Sequence, residues 1–333
     1  MRIGALVPLT PPGWVAAGRH LLAGLELAAA EVDAELVVRD TAGDPQRATA
    51  AVEELAGLGV AAVAGEYHSV VARAAAARAD AVGLPFLCSS AVLDALTDQP
   101  TDWVARIAPA QSRGWTFYAD FLLGAGHRRI AVAVTPSVYW TAGIRILREH
   151  LSAHGGRFEF DERSAVGDAL VEHGATALLL LIGTPEPATS IVKTVRRDPR
   201  LADVLIGAPA GQPELPEWAT ALGEDGAAIP FLRYLPQRLG PLGARVEAAL
   251  RARLGEAPSF VAFEGYDTIL ALAERLRCDA WSAVQVEGTR GPITFSRTPG
   301  ISVWQWTWPP IQVVDRDPAQ IDRFRVLRSL DDE

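Results

Sequence analysis

The sequence predicts an α/β protein of two doubly wound parallel-sheet lobes, and three observations carry that prediction. Short β-prone apolar runs alternate with helix-length segments that are apolar on one face, the βαβ rhythm of a parallel sheet. The rhythm completes one series by Cys88 and starts again near Ser112. With 333 residues, 49% of them hydrophobic, the chain can fill two cores of ordinary domain size.

In the first series Ile3 to Val7, Leu36 to Arg39, Ala61 to Ala64 and Pro85 to Cys88 read as strands, and a helical segment follows each of the first three. The first helix, from about Gly18 to Val32, sets Leu21, Leu25, Ala28 and Val32 on the face that covers the sheet. The second takes Asp44 as N-cap and Pro45 at its first position, and turns Ala48, Val52 and Leu55 inward. The third starts near Ser69 and runs through alanine-rich text to Ala81.

In the second series Ser112 is expected to cap a helix that continues to Leu123 and stops at Gly124 and Gly126. Strand Arg129 to Val134, helix Thr141 to His154, strand Ala177 to Ile182, helix Glu186 to Arg197 and strand Val204 to Gly207 follow. Pro- and Gly-rich text, Gly207 to Pro216 and Pro230 to Pro241, leads into a helix-rich segment from Leu242 to Leu276. After Gly291 to Phe295 comes an alternating run in which Trp304, Trp306 and Trp308 should leave one face of a strand, where covering a sheet or a partner surface is favoured over ligand contact.

Composition excludes several functions. Forty acidic residues against 31 basic give a formal charge of −9, and no Lys/Arg run interrupts it, so a phosphate backbone is repelled and nucleic acid is not an expected partner. The longest aliphatic stretches, such as Leu178 to Ile182, fall far below the roughly 18 to 20 residues of a membrane span, so a soluble chain without membrane insertion is expected. Cys88 and Cys278 offer neither a disulfide framework nor a Cys-x-x-Cys zinc spacing. Met1 to Pro8 runs directly into a strand without the regions of a signal peptide; the expected location is cytoplasmic as the chain stands, and extracytoplasmic if an export segment was removed.

Ligands of parallel sheets sit beyond the carboxyl ends of the strands, where helix N-termini point unpaired N–H groups at a common place. The loops concerned are 8–17, 65–69, 89–91, 136–141, 183–186 and 208–212, which gather small hydroxyl residues with Trp14, Tyr67 and Tyr139. Candidate ligand-binding residues are Trp14, Tyr67, His68, Ser69, Ser89, Ser90, Ala91, Tyr139, Thr184 and Glu186. Glu264, at the start of an apolar helix, reads equally as a cap or a binding carboxylate.

Asp40 ends the second strand as a ribose-binding acid would, but Pro8 to Trp14 contains two consecutive prolines where a G-x-G-x-x-G turn is required, and no phosphate-loop pattern exists. His68 and Ser69 are adjacent and point in different directions at a helix start, with no G-x-S-x-G elbow, so Ser69 reads as a cap or ligand donor and no catalytic residue is expected. His150 and His154 lie one turn apart, but Glu149 stands outside the pair, unlike H-E-x-x-H, and the helix is charged; no metal and no cofactor is expected.

Several separated segments resemble, in order and spacing, the type I periplasmic solute-binding proteins of the leucine/isoleucine/valine branch that serve ABC transporters. They are Ile3-Gly4 through Thr10 with Gly18 and Gly24; Val38-Arg39-Asp40-Thr41 with Asp44-Pro45; Gly65 with Ser69; Arg106-Ile107-Ala108-Pro109; Tyr139 with Gly143; Arg253 to Pro258; Gly265-Tyr266-Asp267; and Gly291 to Phe295. The resemblance implies two α/β lobes joined by three crossovers near Ala108, Pro236 and Ser302, with residues 1–108 and 237–302 in the N-terminal lobe and 109–236 and 303–333 in the C-terminal lobe. It further implies a ligand held in the cleft between lobes that close over it, without catalysis. Ser69 would donate to a ligand carboxylate, the loop of Ser89, Ser90 and Ala91 would supply a carbonyl and a hydroxyl, and Tyr139 would close from the opposite lobe.

Two departures bear on the ligand. Val92 stands where the family has its second hydroxyl, with Ser90 close by, and loop Gly207 to Gly211 lacks the acid that would hold a ligand ammonium unless Glu186, Glu66 or Glu264 replaces it. Tyr67-His68-Ser69 is also similar to the Tyr-x-Ser element of the amide- and urea-binding relatives. The expected function is capture of a small polar solute, an amino acid or something like one, for an ABC permease; the alternative is a cytoplasmic amide- or urea-type sensor acting on a regulatory protein.

Overall fold

Strand β1 (Arg2–Val7) is buried from Ile3 onward and leads into helix α1 (Val15–Glu31), after which β2 (Glu35–Asp40) pairs with β1 in parallel. The computed structural model describes residues 1–159, 166–278 and 280–330. Helix α2 (Pro45–Gly57) begins where its sequence predicts, because the Asp44 carboxylate accepts the free N–H groups of Gln46 at 2.7 Å and Arg47 at 3.0 Å. Then come β3 (Ala62–Gly65), α3 (Ser69–Val82), β4 (Phe86–Cys88) and β5 (Val104–Arg106).

These strands lie in the parallel order β2-β1-β3-β4-β5. The chain leaves β1 on one side to make β2 and continues on the other side with β3, so the order reverses between β1 and β3. Loops diverge at such a point and leave a crevice at the carboxyl end of the sheet.

The second series contains α4 (Gln111–Gly124), β6 (Arg129–Val134), α5 (Val138–Ala153), β7 (Arg157–Glu159), α6 (Val166–Glu172), β8 (Ala177–Leu181), α7 (Pro185–Arg197), β9 (Leu205–Gly207), α8 (Pro216–Leu222) and β10 (Phe231–Arg233). Its parallel sheet has the order β7-β6-β8-β9, with the reversal between β6 and β8. Helices α9 (Pro241–Leu254) and α10 (Phe260–Cys278) and strands β11 (Gln285–Gly288), β12 (Gly291–Ser296) and β13 (Trp304–Trp306) return to the first unit. There β13 pairs in parallel with β5, while β12 and β11 add antiparallel strands to complete eight among the described residues. Strands β14 (Gln312–Asp317) and β15 (Gln320–Ser329) form an antiparallel sheet with β10 in the second unit.

The first unit comprises Met1–Ala110 with Tyr234–Pro310, and the second Gln111–Arg233 with Ile311–Glu333. Each has its own core: Leu6, Val52, Leu55, Val63 and Phe86 in one, Leu178, Leu180, Val192, Ile206 and Trp218 in the other. Among the described residues no helix is long and apolar enough to cross a membrane.

Several boundaries differ from the sequence expectation. Ser112 does not cap α4, which has already begun at Gln111. Helix α5 starts before Thr141, because the Ser137 hydroxyl accepts the Trp140 N–H at 3.1 Å and brings Tyr139 into the first turn. Strands β5 and β7, three residues each, are too short to show an alternating pattern. The tryptophan strand ends at Trp306: Trp304 and Trp306 lie within β13, whereas Trp308 is outside it and 74% exposed. The last division of the chain falls after Pro310 instead of near Ser302, because β13 is hydrogen-bonded between β5 and β12.

Candidate functional site

In the first unit the candidate residues gather around the reversal between β1 and β3. Gly65 ends β3 at φ +122°, and a Cβ there would strike the Leu6 carbonyl of β1, so glycine is required for the two strand ends to sit together. The next residue, Glu66, is fully buried. Its Oε1 accepts the Tyr67 N–H at 2.9 Å, and its carbonyl accepts the N–H groups of Ser90 at 3.3 Å and Ala91 at 3.2 Å, tying the loop after β3 to the loop after β4. Burial pushes the Glu66 carboxyl up to about 8, aided by the Asp40 charge and opposed by the N–H groups of Tyr67 and His68.

His68 stands at the N-cap position of α3 and stacks on Trp14 with ring centroids 4.4 Å apart and planes 15° apart. Tyr67 is tilted against the same indole at 6.4 Å. Burial pushes the His68 imidazole down to about 4, so the ring is neutral at pH 7 and the wall it forms with Trp14 is flat and uncharged. Ser69, the first residue of α3, is buried, and its Oγ accepts the Leu93 N–H at 3.4 Å.

Arg106 at the end of β5 positions that Leu93 segment by donating to the carbonyls of Val92 at 2.8 Å and Leu93 at 2.6 Å. The other side of its guanidinium donates to Gln305 Oε1 of β13, at 3.1 Å from Nε and 2.8 Å from Nη2.

The loop after β4 is equally enclosed. Thr268 of α10 gives its one hydroxyl proton to the Glu264 carbonyl at 2.7 Å, so Ser89 Oγ, 3.0 Å from Thr268 Oγ1, donates to that hydroxyl oxygen. Ser90 is buried, and its Oγ has no protein partner among the described residues. The Ala91 carbonyl accepts from the Cys88 thiol at 3.5 Å.

Glu264 is buried one turn into α10, where its Oε1 lies 3.4 Å from Arg290 Nη1. Arg290 Nε donates to Asp267 Oδ2 at 2.8 Å, while Asp267 Oδ1 accepts the N–H and hydroxyl of Thr289 at 2.6 and 2.8 Å. Glu264 therefore belongs to a buried ion cluster that links α10 to the β11–β12 hairpin.

In the second unit Tyr139 is half-buried, meeting Trp115 edge-on with centroids 5.8 Å apart and planes at 87°, and Trp140 at 4.6 Å. Burial raises its phenol above the ordinary tyrosine value, so it stays neutral. Gly143 makes this packing possible, since a Cβ there would enter the Trp115 ring. Gln111 Nε2 holds the Tyr139 carbonyl at 3.0 Å. Thr184 and Glu186 follow β8 but are exposed; Thr184 donates to the Glu186 carbonyl at 2.7 Å, and Glu186 Oε2 accepts from Ser190 at 2.8 Å.

Arg106, Trp115, Asp267 and Arg290 are not among the candidate binding residues of the sequence, although Arg106 and Asp267 lie in the resembling segments, and Glu66 enters there only as a substitute for a missing acid. A charged residue inside an otherwise apolar or small-residue run was the available signal for each of the ionisable ones. In the second unit Glu214, buried beyond β9, pairs with Arg233 at 3.0 Å. Among the described residues no group of three or more His, Cys, Asp or Glu could hold a metal, and His150 pairs with Asp120 at 2.6 Å.

A family model described as "Periplasmic binding protein" matches residues 1–278, and the chain belongs to that family. The fold is that of a leucine binding protein, LivK, from Thermotoga maritima, with TM-score 0.82, 18% identity and 100% of each chain covered. It is similarly that of the branched-chain amino acid transporter substrate binding protein LivJ from Streptococcus pneumoniae, solved with isoleucine, at TM-score 0.80 and 18% identity over 98% of this chain and 99% of that one. An ABC transporter solute binding protein from R. palustris, solved with 4-hydroxybenzoate, gives TM-score 0.81 and 17% identity over 99% of this chain and 96% of the other. Comparison with curated proteins gives no match.

Proposed function

We propose that this chain is the solute-binding component of an ABC importer and that its solute is a small organic carboxylate. The observation that carries the reading is the Ser69 end of α3, where a buried hydroxyl and first-turn N–H groups stand beside the neutral Trp14–His68 stack. Such a place suits a carboxylate next to an apolar or aromatic body. Leucine, isoleucine and 4-hydroxybenzoate, named with the structural relatives, all have that chemistry. The lack of a carboxylate in Gly207 to Gly211 favours a solute without an ammonium group. We further propose that both units contribute to capture, Tyr139 acting for the second, and that the units close on the solute.

Thermal-shift and calorimetric screening of benzoate, 4-hydroxybenzoate, leucine, isoleucine, acetamide and urea tests this, since a ligand of the native form raises its melting temperature. A carboxylate should bind, and Ser69→Ala should weaken it roughly 10- to 150-fold, the loss of one hydrogen bond to a charged group. Tyr139→Ala should also remove most of the shift. Binding of the amides alone, or undiminished carboxylate binding in both variants, refutes the proposal.

A further inference from the structure

We infer that Glu66 works in its protonated form, as a hydrogen-bond donor to the bound carboxylate, so that solute capture requires a proton on Glu66 and weakens when that proton is lost. The inference rests on the carboxylate reading proposed above. Glu66 lies three residues before Ser69 and has no solvent exposure. Its Oε1 is engaged by the Tyr67 N–H, whereas Oε2 is buried without a hydrogen-bond partner among the described residues. Ser90, whose N–H binds the Glu66 carbonyl, carries a second buried oxygen without a protein partner among the described residues. Two such atoms on adjoining loops are costly when left without partners, and a ligand that accepted from both would remove that cost.

The surroundings decide the charge state. Asp40, at the end of β2, is held below the ordinary carboxylate range: burial opposes ionisation, but the Thr10 hydroxyl and the N–H groups of Leu9 and Ala42 outweigh it. Its negative charge disfavours a second one on Glu66. His68 on α3 is neutral and supplies no positive charge, and burial pushes the Cys88 thiol of β4 up to about 12, so it supplies no negative one. Arg106 on β5 gives its guanidinium to Val92, Leu93 and Gln305. On α10, which packs against β3 and β4, Glu264 and Asp267 face Arg290. Protonation is thus the form that burial allows, and a neutral carboxyl presents an O–H at Oε2 where an ionised one would repel an arriving anion.

Glu66 titrates near 8 in the free protein, so the competent fraction falls about tenfold between pH 7 and 9. The test is calorimetric titration of the full chain with benzoate, which stays anionic throughout that range, using wild type and Glu66→Gln. The wild-type dissociation constant should rise about tenfold from pH 7 to 9, while Glu66→Gln, which keeps a donor but does not titrate, should vary less than about twofold. At pH 8, titrations in phosphate and in Tris should reveal uptake of roughly half a proton per benzoate bound by the wild type, a readout that stands even if the variant does not fold. A pH-independent wild-type constant, an unchanged slope in a folded Glu66→Gln, or no proton uptake overturns the inference and leaves the solute-binding proposal intact. If neither benzoate nor any other carboxylate of the panel binds wild type at any pH, that proposal fails and this inference with it.

Discussion

Replacing Arg290 with methionine removes the cation from a cluster whose charged side chains have no solvent exposure. Its guanidinium lies 2.8 Å from Asp267 Oδ2, 3.4 Å from Glu264 Oε1 and 4.9 Å above the Trp306 ring. Methionine fills much of the same volume, so the packing loss is small and the electrostatic loss dominates. Asp267 keeps its two bonds from Thr289, but Glu264 and Asp267 are left as buried acids with no countercharge from Arg290. Breaking a buried pair on one side costs about 3–5 kcal/mol. At roughly 2–4 °C per kcal/mol for a unit of this size, the melting temperature should fall by about 6–20 °C. Urea unfolding and scanning calorimetry of wild type, Arg290→Met and Arg290→Met/Asp267→Asn measure it; neutralising Asp267 should restore part of the loss, because the two sites are coupled. A single variant within about 1 kcal/mol of wild type, or a double variant with no recovery, would refute the electrostatic account.

Other outcomes follow from the same geometry. Glu66 titrates at about 8 in the fold against 4.5 unperturbed, so its contribution is complete below 4.5 and is lost as pH rises towards 8, at about 1.4 kcal/mol per pH unit. His68, at about 4 against 6.5, has the opposite sign: its contribution is present above 6.5 and is lost as pH falls towards 4. The pair should therefore cancel between about 4.5 and 6.5 and leave a decline from 6.5 to 8, which denaturation profiles of Glu66→Gln should lack. Gly143→Val should force the Trp115 ring aside, costing at least about 1–3 kcal/mol and altering the near-ultraviolet circular dichroism as Tyr139 moves; an unchanged spectrum would contradict that packing. Asp44→Ala should cost about 1 kcal/mol in urea unfolding, whereas Asp44→Asn should cost little, since either side chain can accept from Gln46 and Arg47.

Part of the clustering of candidate residues can be read from residue order. Trp14, Tyr67, His68 and Ser69 lie in loops at strand ends, and strand reversal between β1 and β3 brings Trp14 against His68. Asp44-Pro45 is legible because a cap and a fixed φ act within three residues. Ser137 was missed because the apolar spacing of Leu147 and Leu151 locates the body of α5, not its start. Thr184 and Glu186 belong to the expected loop, but their exposure and mutual bond depend on how α7 begins. The sequence offers Glu66 only as one of three acids that could replace a missing one, and its burial, with its carbonyl bound by Ser90 and Ala91 more than twenty residues later, depends on the fold.

Alternation of strands and helices, their amphipathic faces and the loops that emerge at the carboxyl ends were already legible in the chain, because periodicity and capping act over a few neighbouring residues. Strand order, the boundary after Pro310, the burial of Glu66 and the Arg290–Asp267–Glu264 cluster required folding in three dimensions. The reason is physical: pairing and desolvation are set by groups far apart in sequence, and a carboxyl or guanidinium has no fixed environment until those distant elements pack around it.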